Sequence, residues 1–272
     1  MLKLRWTGCA GVEIMRRDKT ILIDPYHTRL SKWKMLFGRH EPNVEVLERH
    51  VEMLSVEISA IIVGHTHVDH AMDVPVLAKW CRGPVVGSGS LKNLAAVSGL
   101  EKEITVTRGR ETIDLFEGCR VTMIPSRHGT VMMGRIPFPG EIDPEWSTPL
   151  KARQYRLGDM FIPKLEVDGT TFLHVGSANL IDEELEGHRC DVLLVSVPGW
   201  NKVPAYIKRL VRISRPRVII PIHFDDFSKP IGREGHYKQL PFIGMEAFMD
   251  QVKRAAPHSY VRKPRPFQAL LI

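Results

Sequence analysis

The run His65-Thr66-His67-Val68-Asp69-His70 packs three imidazoles and one carboxylate into six residues. Neutral imidazole nitrogen and carboxylate oxygen are the ligands that Zn²⁺, Mn²⁺ and Fe²⁺ accept. The run follows Ala60-Ile61-Ile62-Val63-Gly64, an apolar stretch that reads as a buried strand, so the cluster stands where a strand gives way to a loop. Two further histidines stand at similar places: His128 after Arg120–Pro125, and His223 after Val218–Ile222. One histidine at a strand end is ordinarily structural. Six metal-ligand side chains at three strand ends predict a metal centre.

The elements that must position these residues are legible as alternating units. Lys3–Trp6, Gly11–Met15 and Thr20–Ile23 read as a meander of short strands that ends at Asp24-Pro25. A helix is predicted over Ala71–Cys81, then a strand at Pro84–Gly87 and a helix capped by Ser88 or Ser90. Met160–Val167 and Thr170–Val175 read as a hairpin turned by Asp168-Gly169. Asp191–Val197 and Arg217–Ile222 are continuous apolar runs, as in strands covered on both faces, with helices over Pro204–Ser214 and Met245–Ala255. The chain thus reads as two similar halves in an α/β layered fold.

With 272 residues, 43% hydrophobic and 25% charged, the sequence fits one soluble globular domain over residues 1–272. Two stretches read as inserts. Residues 26–57 are basic and partly helical, with Arg29–Phe37 expected as a lid, a membrane-touching segment or a surface helix; residues 130–158 form a long Pro- and Gly-rich loop. No apolar run of about 18 residues predicts a transmembrane helix, and the N-terminus lacks a signal-peptide core, so a cytoplasmic location is expected. Cys9, Cys81, Cys119 and Cys190 form no C-x-x-C pair and read as buried free thiols. The net charge of +7 concentrates in stretches such as 202–217, which holds six cations and no acid. That balance suits an anionic small molecule, a lipid surface or nucleic acid.

His-x-His-x-Asp-His after a strand, a lone histidine about 60 residues on, and a later strand-terminal histidine resemble the metallo-β-lactamase superfamily. The opening Trp6-Thr7-Gly8, Gly11–Ile14 and Ile21–Pro25 is similar to the branch with ascorbate-6-phosphate lactonase-like and N-acylphosphatidylethanolamine phospholipase D-like proteins. The resemblance implies a four-layer αββα sandwich. It implies a first metal held by His65, His67 and His128 and a second by Asp69, His70 and His223. Asp69 also takes a catalytic role, orienting the nucleophilic water. Zinc is the expected ion, with Mn or Fe as alternatives. Asp24 is expected to buttress the loop that carries the histidine run.

The chain departs from the family at one position. Ser177, in Val175-Gly176-Ser177, stands where the family places a bridging aspartate. Two divalent ions bring four positive charges. Asp69 and one hydroxide remove only two, where a second carboxylate would remove a third. One tight metal and a weaker second are therefore expected, or a preference for anionic substrates, with Ser177, Asn179, Asp182 or Asp225 as stand-ins for the missing ligand. The leading function is hydrolysis of a small or lipid-like anionic ester, phosphodiester or lactone. The alternatives are a nuclease acting on RNA or DNA and a non-catalytic metal-binding protein.

Overall fold

The computed structural model describes residues 1–130, 134–232 and 235–272. Its first half opens on three antiparallel strands joined by tight turns, β1 (Leu2–Gly8), β2 (Gly11–Arg16) and β3 (Lys19–Ile23). The first insert follows: α1 (Lys32–Phe37), β4 (Arg39–His40) and α2 (Val44–Leu54). Then β5 (Glu57–Ile62), α3 (Val68–Ala71), α4 (Val74–Leu77), β6 (Val85–Gly87), α5 (Gly89–Val97) and β7 (Ile104–Val106) extend the sheet in parallel. The second half repeats this plan. β8 (Thr112–Phe116), β9 (Cys119–Pro125), β11 (Phe161–Val167) and β12 (Thr170–Val175) are antiparallel, after a short β10 (Leu150–Lys151) in the long loop. α6 (Asp182–Leu185), β13 (Val192–Ser196), α7 (Tyr206–Ser214), β14 (Val218–Ile222), α8 (Met245–Ala255) and β15 (Tyr260–Val261) then add parallel strands. Finally β16 (Ala269–Leu271) returns to β1.

The two seven-stranded sheets run β16-β1-β2-β3-β5-β6-β7 and β8-β9-β11-β12-β13-β14-β15. Alternation along the strands decides the layers, because successive side chains face opposite sides of a sheet. Ile21, Ile23, Ala60 and Ile62 join one core with Val121, Leu165 and Phe172 of the second sheet, whereas Leu22, Ile58 and Ile61 pack with Leu47, Leu77 and Leu91 of the helices outside. On the far side, Tyr206, Leu210 and Phe248 of α7 and α8 cover the second sheet. This is the expected αββα sandwich. Among the described residues no helix is long and apolar enough to cross a membrane.

Several elements differ from expectation. The helix predicted over Ala71–Cys81 is two short ones, α3 and α4. Pro75 has no N–H to continue the first helix, and the Asp73 carboxylate is drawn to the backbone N–H groups of His27 and Thr28, 2.6 and 2.9 Å away. Ser88 occupies the position before α5 without a capping hydrogen bond, and the Ser90 hydroxyl instead accepts from the Ile142 N–H. The two inserts are not separate loops, since β4 and β10 pair with Leu150 opposite His40. Within 130–158, residues 131–133 lie outside the described ones. The hairpin forms as predicted, with Asp168 and Gly169 both at positive φ, 46° and 80°.

Candidate metal centre

The carboxyl ends of β3, β5, β9, β12 and β14 open on one edge of the sandwich, the usual place for a site in sheets of this kind. They deliver Asp24, the His65–His70 run, His128, Ser177 and His223.

His65, His67 and His128 converge, with ligand nitrogens within 4.8 Å of one another and all three side chains buried. Their ring centroids are 4.7 to 5.0 Å apart. His128 Nδ1 donates to the Gly129 carbonyl at 2.6 Å, which leaves Nε2 with a lone pair. His67 Nε2 lies 2.9 Å from the Pro137 carbonyl. Both nitrogens of His65 are buried without a partner among the described residues. A buried unpaired donor or acceptor costs about 1–3 kcal/mol, so this chemistry fits a shared cation. Burial pushes all three imidazoles toward the neutral form, His67 to about 3 and His128 to about 4. Neutral imidazole is the metal-binding state.

A second cluster adjoins the first. Asp69 Oδ2 lies 3.1 Å from His223 Nε2 and 3.7 Å from His70 Nε2. Burial opposes ionisation of Asp69, but His70 and His223 outweigh it and hold the carboxyl well below its usual range. A residue that sequence reasoning left in the core joins them. Cys9 Sγ is 3.4 Å from Asp69 Oδ2 and 3.4 Å from His223 Nε2. Burial, then Asp69 and Asp225, push its thiol up. Only its place in the opening Gly8-Cys9 turn, beside the motif, could have signalled this.

The support is built from the same loops. Asp24 accepts from the Gly64 N–H at 2.7 Å and from His70 Nδ1 at 2.8 Å, so it aims His70 Nε2 at Asp69. His174 donates from Nε2 to the Ala10 carbonyl at 2.7 Å, a structural contact. Asp225 pairs with buried Arg29 at 2.5 Å and accepts from the Cys9 N–H at 2.7 Å. Cys9, Asp24 and His223 all adopt left-handed φ, 51°, 46° and 61°. Such strain in non-glycine residues gathers at functional sites. Gly8, at φ 95°, has no room for a side chain, because a Cβ there would overlap the Arg29 guanidinium.

The expected stand-ins for the bridging carboxylate each have another partner, as Asp225 has in Arg29. The Ser177 hydroxyl accepts from the Gly129 N–H at 3.0 Å and so fixes the backbone beside His128. Asn179 donates to the His128 carbonyl, and Asp182 pairs with Arg209.

The buried imidazoles make stability depend on pH in the metal-stripped protein. Unfolded, His67 and His128 protonate near 6.5; folded, near 3 and 4. Between those limits the unfolded chain binds more protons, so stability rises with pH. The contribution is therefore complete above about pH 6.5 and is lost as pH falls toward 4. His70, whose burial is outweighed by Asp69 and Asp24, moves the other way. Urea midpoints of the metal-stripped protein should fall through this window, and a flat profile would contradict the burial.

Comparison with known proteins agrees with this geometry. A model of the beta-lactamase superfamily domain matches residues 3–223. A metal-dependent hydrolase of Cupriavidus taiwanensis is 27% identical over 243 residues, spanning 86% of this chain and 78% of the relative. Among solved structures, a metallo hydrolase of the archaeon Ignicoccus hospitalis superposes with a TM-score of 0.63 at 15% identity, covering 99% of this chain and 97% of its own. A metallo-beta-lactamase fold protein of Bacillus subtilis gives 0.60 at 11% identity, with both chains fully covered. Sandwich, histidine run and family match converge: the chain belongs to the metallo-β-lactamase superfamily and is a metal-dependent hydrolase.

Proposed function

We propose that the protein hydrolyses an anionic ester, a phosphodiester or a lactone with a lipid-like body, and that residues 1–272 act as one hydrolase domain whose two inserts wall the substrate. The observation that carries this reading is a cavity of about 870 Å³ whose wall includes Phe138, a neighbour of His67. Among the described residues, Arg39, Lys151, Arg153 and Arg156 line it, against a single acid, Glu145. Phe138 stands edge-on to His67 at 6.5 Å and so links the cavity to the three-imidazole cluster. Four cations around one cavity favour a substrate that carries negative charge.

His65, His67 and His128 would hold the tighter ion, and Asp69, His70 and His223 the weaker one, with zinc the best match to a nitrogen-rich set. A bound divalent ion lowers the pKa of a coordinated water and polarises the ester under attack. Asp69, kept ionised, is placed to orient that water and accept its proton. Asp24 holds His70 in one orientation through the step.

The lipid-like body is supported by α1. None of its residues is buried, and Trp33, Leu36 and Phe37 are 71–76% exposed. Residues 25–40 include Lys32, Lys34 and Arg39 and no acid. Lys32 reaches Asp226 at 3.4 Å, three residues beyond His223, so the exposed helix stands by the site. Apolar side chains flanked by cations suit an anionic lipid surface. A nuclease is less favoured, because Arg209 and Arg212 of the basic helix α7 face Asp182 and Glu186 of their own chain.

The test is turnover of bis-p-nitrophenyl phosphate and simple lactones by metal-loaded protein. Metal-dependent hydrolysis of either supports the reading, and no turnover of both overturns it. Replacing both Trp33 and Phe37 by alanine should lower turnover of vesicle-borne substrate about tenfold while sparing the soluble ester. Equal loss on both would remove α1 from the account.

A further inference from the structure

We propose that the Cys9 sulfur is a ligand of the second metal position, with Asp69 and His223, and supplies the negative charge that Ser177 does not. This rests on the hydrolytic reading above. Cys9 Sγ, Asp69 Oδ2 and His223 Nε2 form a triangle with sides of 3.1, 3.4 and 3.4 Å. Ligand distances typical of tetrahedral zinc place neighbouring sulfur, nitrogen and oxygen ligands about 3.4–3.6 Å apart. The triangle is therefore close to what one ion would draw together. His70 Nε2 is left available because Nδ1 is spent on Asp24, and lies 3.7 Å from the same Asp69 oxygen, beside the triangle.

A thiol that only fills space would face carbon. This one faces a carboxylate and an imidazole, from a backbone held there at some cost. Cys9 sits at a left-handed φ of 51°. Its N–H is held by Asp225, and its carbonyl accepts from the Trp6 indole and the His223 N–H, at 2.7 to 2.8 Å. The following carbonyl, of Ala10, is held by His174. Four contacts on so short a turn fix the backbone from which the sulfur projects. Its partners lie 60 and 214 residues away in the chain, so the turn is shaped by the site and not by its own strand.

Charge leads to the same assignment. On uptake of the ion the S–H bond breaks, the sulfur electron pair binds the cation and the proton leaves to solvent. The thiolate then provides the third negative charge, alongside Asp69 and hydroxide, that a bridging aspartate gives elsewhere. Sulfur also narrows the choice of ion toward zinc or iron and away from magnesium or manganese.

Metal content after dialysis and the spectrum of the cobalt-loaded protein test the assignment. Wild-type protein should keep one equivalent through dialysis, bind a second more weakly, and with two equivalents of cobalt show a sulfur-to-cobalt charge-transfer band in the near ultraviolet. Cys9→Ser should lose the band and bind the second equivalent on the order of 10- to 100-fold more weakly, while keeping the first. Cys9→Asp should regain the second equivalent without the band. Thermal unfolding of the metal-stripped variants checks that each is folded. Two equivalents with no band, or a Cys9→Ser protein that keeps both equivalents as tightly as wild type, overturns the sulfur ligand and leaves the hydrolytic reading standing. A wild type that takes up no metal overturns both.

Discussion

His65→Ala should lower hydrolysis by on the order of 10³-fold, equivalent to ~4 kcal/mol of transition-state stabilisation. His65 belongs to two ligand groups, one with His67 and His128 and one with Asp24 and His70, and its ring lies 3.8 Å from that of His70. Its removal leaves two imidazoles where three converge, and the ion that organises the water is lost. The same variant should be no less stable than wild type when both are stripped of metal. Among the described residues His65 makes no hydrogen bond through either nitrogen, so alanine removes a buried unpaired group along with the ring. Metal content, kcat/KM and thermal unfolding of the stripped proteins separate the two effects. Retained metal with retained activity would show that His65 is not a ligand. A large drop in stripped-protein stability would show that its role is packing.

Asp225→Ala should have the largest effect on stability, about 3–5 kcal/mol. Its carboxylate is buried and paired with the equally buried Arg29, whose guanidinium also fills the space beside Gly8. Alanine strands that cation in the interior and releases the Cys9 N–H. For a chain of this size the loss corresponds to a fall in Tm on the order of 10 °C. Replacing Arg29 and Asp225 together should cost less than the sum of the single changes, because no lone charge is left behind. Additive losses would show that the pair is not coupled.

The site was legible in the sequence where ligands are dense and follow a strand. His65–His70 stands directly after a β-branched run, and His128 and His223 close two others, so period and residue type together marked them. The order of strands and helices was enough for an α/β layered fold, and the family resemblance implied the sandwich, in which Ile21 and Ile23 face one core and Leu22 the other. What escaped depends on distant partners. Cys9 carries no spacing signal, because Asp69 and His223 reach it only through the fold. β4 and β10 are two residues each, and their pairing is a contact across about a hundred residues that no local pattern encodes. The break between α3 and α4 was present in the sequence as Pro75. Ala71, Val74, Leu77, Ala78 and Cys81 keep an apolar 3–4 spacing across it, which is why periodicity alone reads one helix.

The repetition of strand order in the two sheets has a consequence for cohesion. Two of the ligand clusters take members from both halves: His65 and His67 with His128, and Asp69 and Cys9 with His223. An ion in either cluster would be a clasp between the two layers as well as a reagent. Its binding free energy would add directly to the work of prising the halves apart. Catalytic competence and mechanical closure would then be one property of the molecule, gained and lost together with the metal.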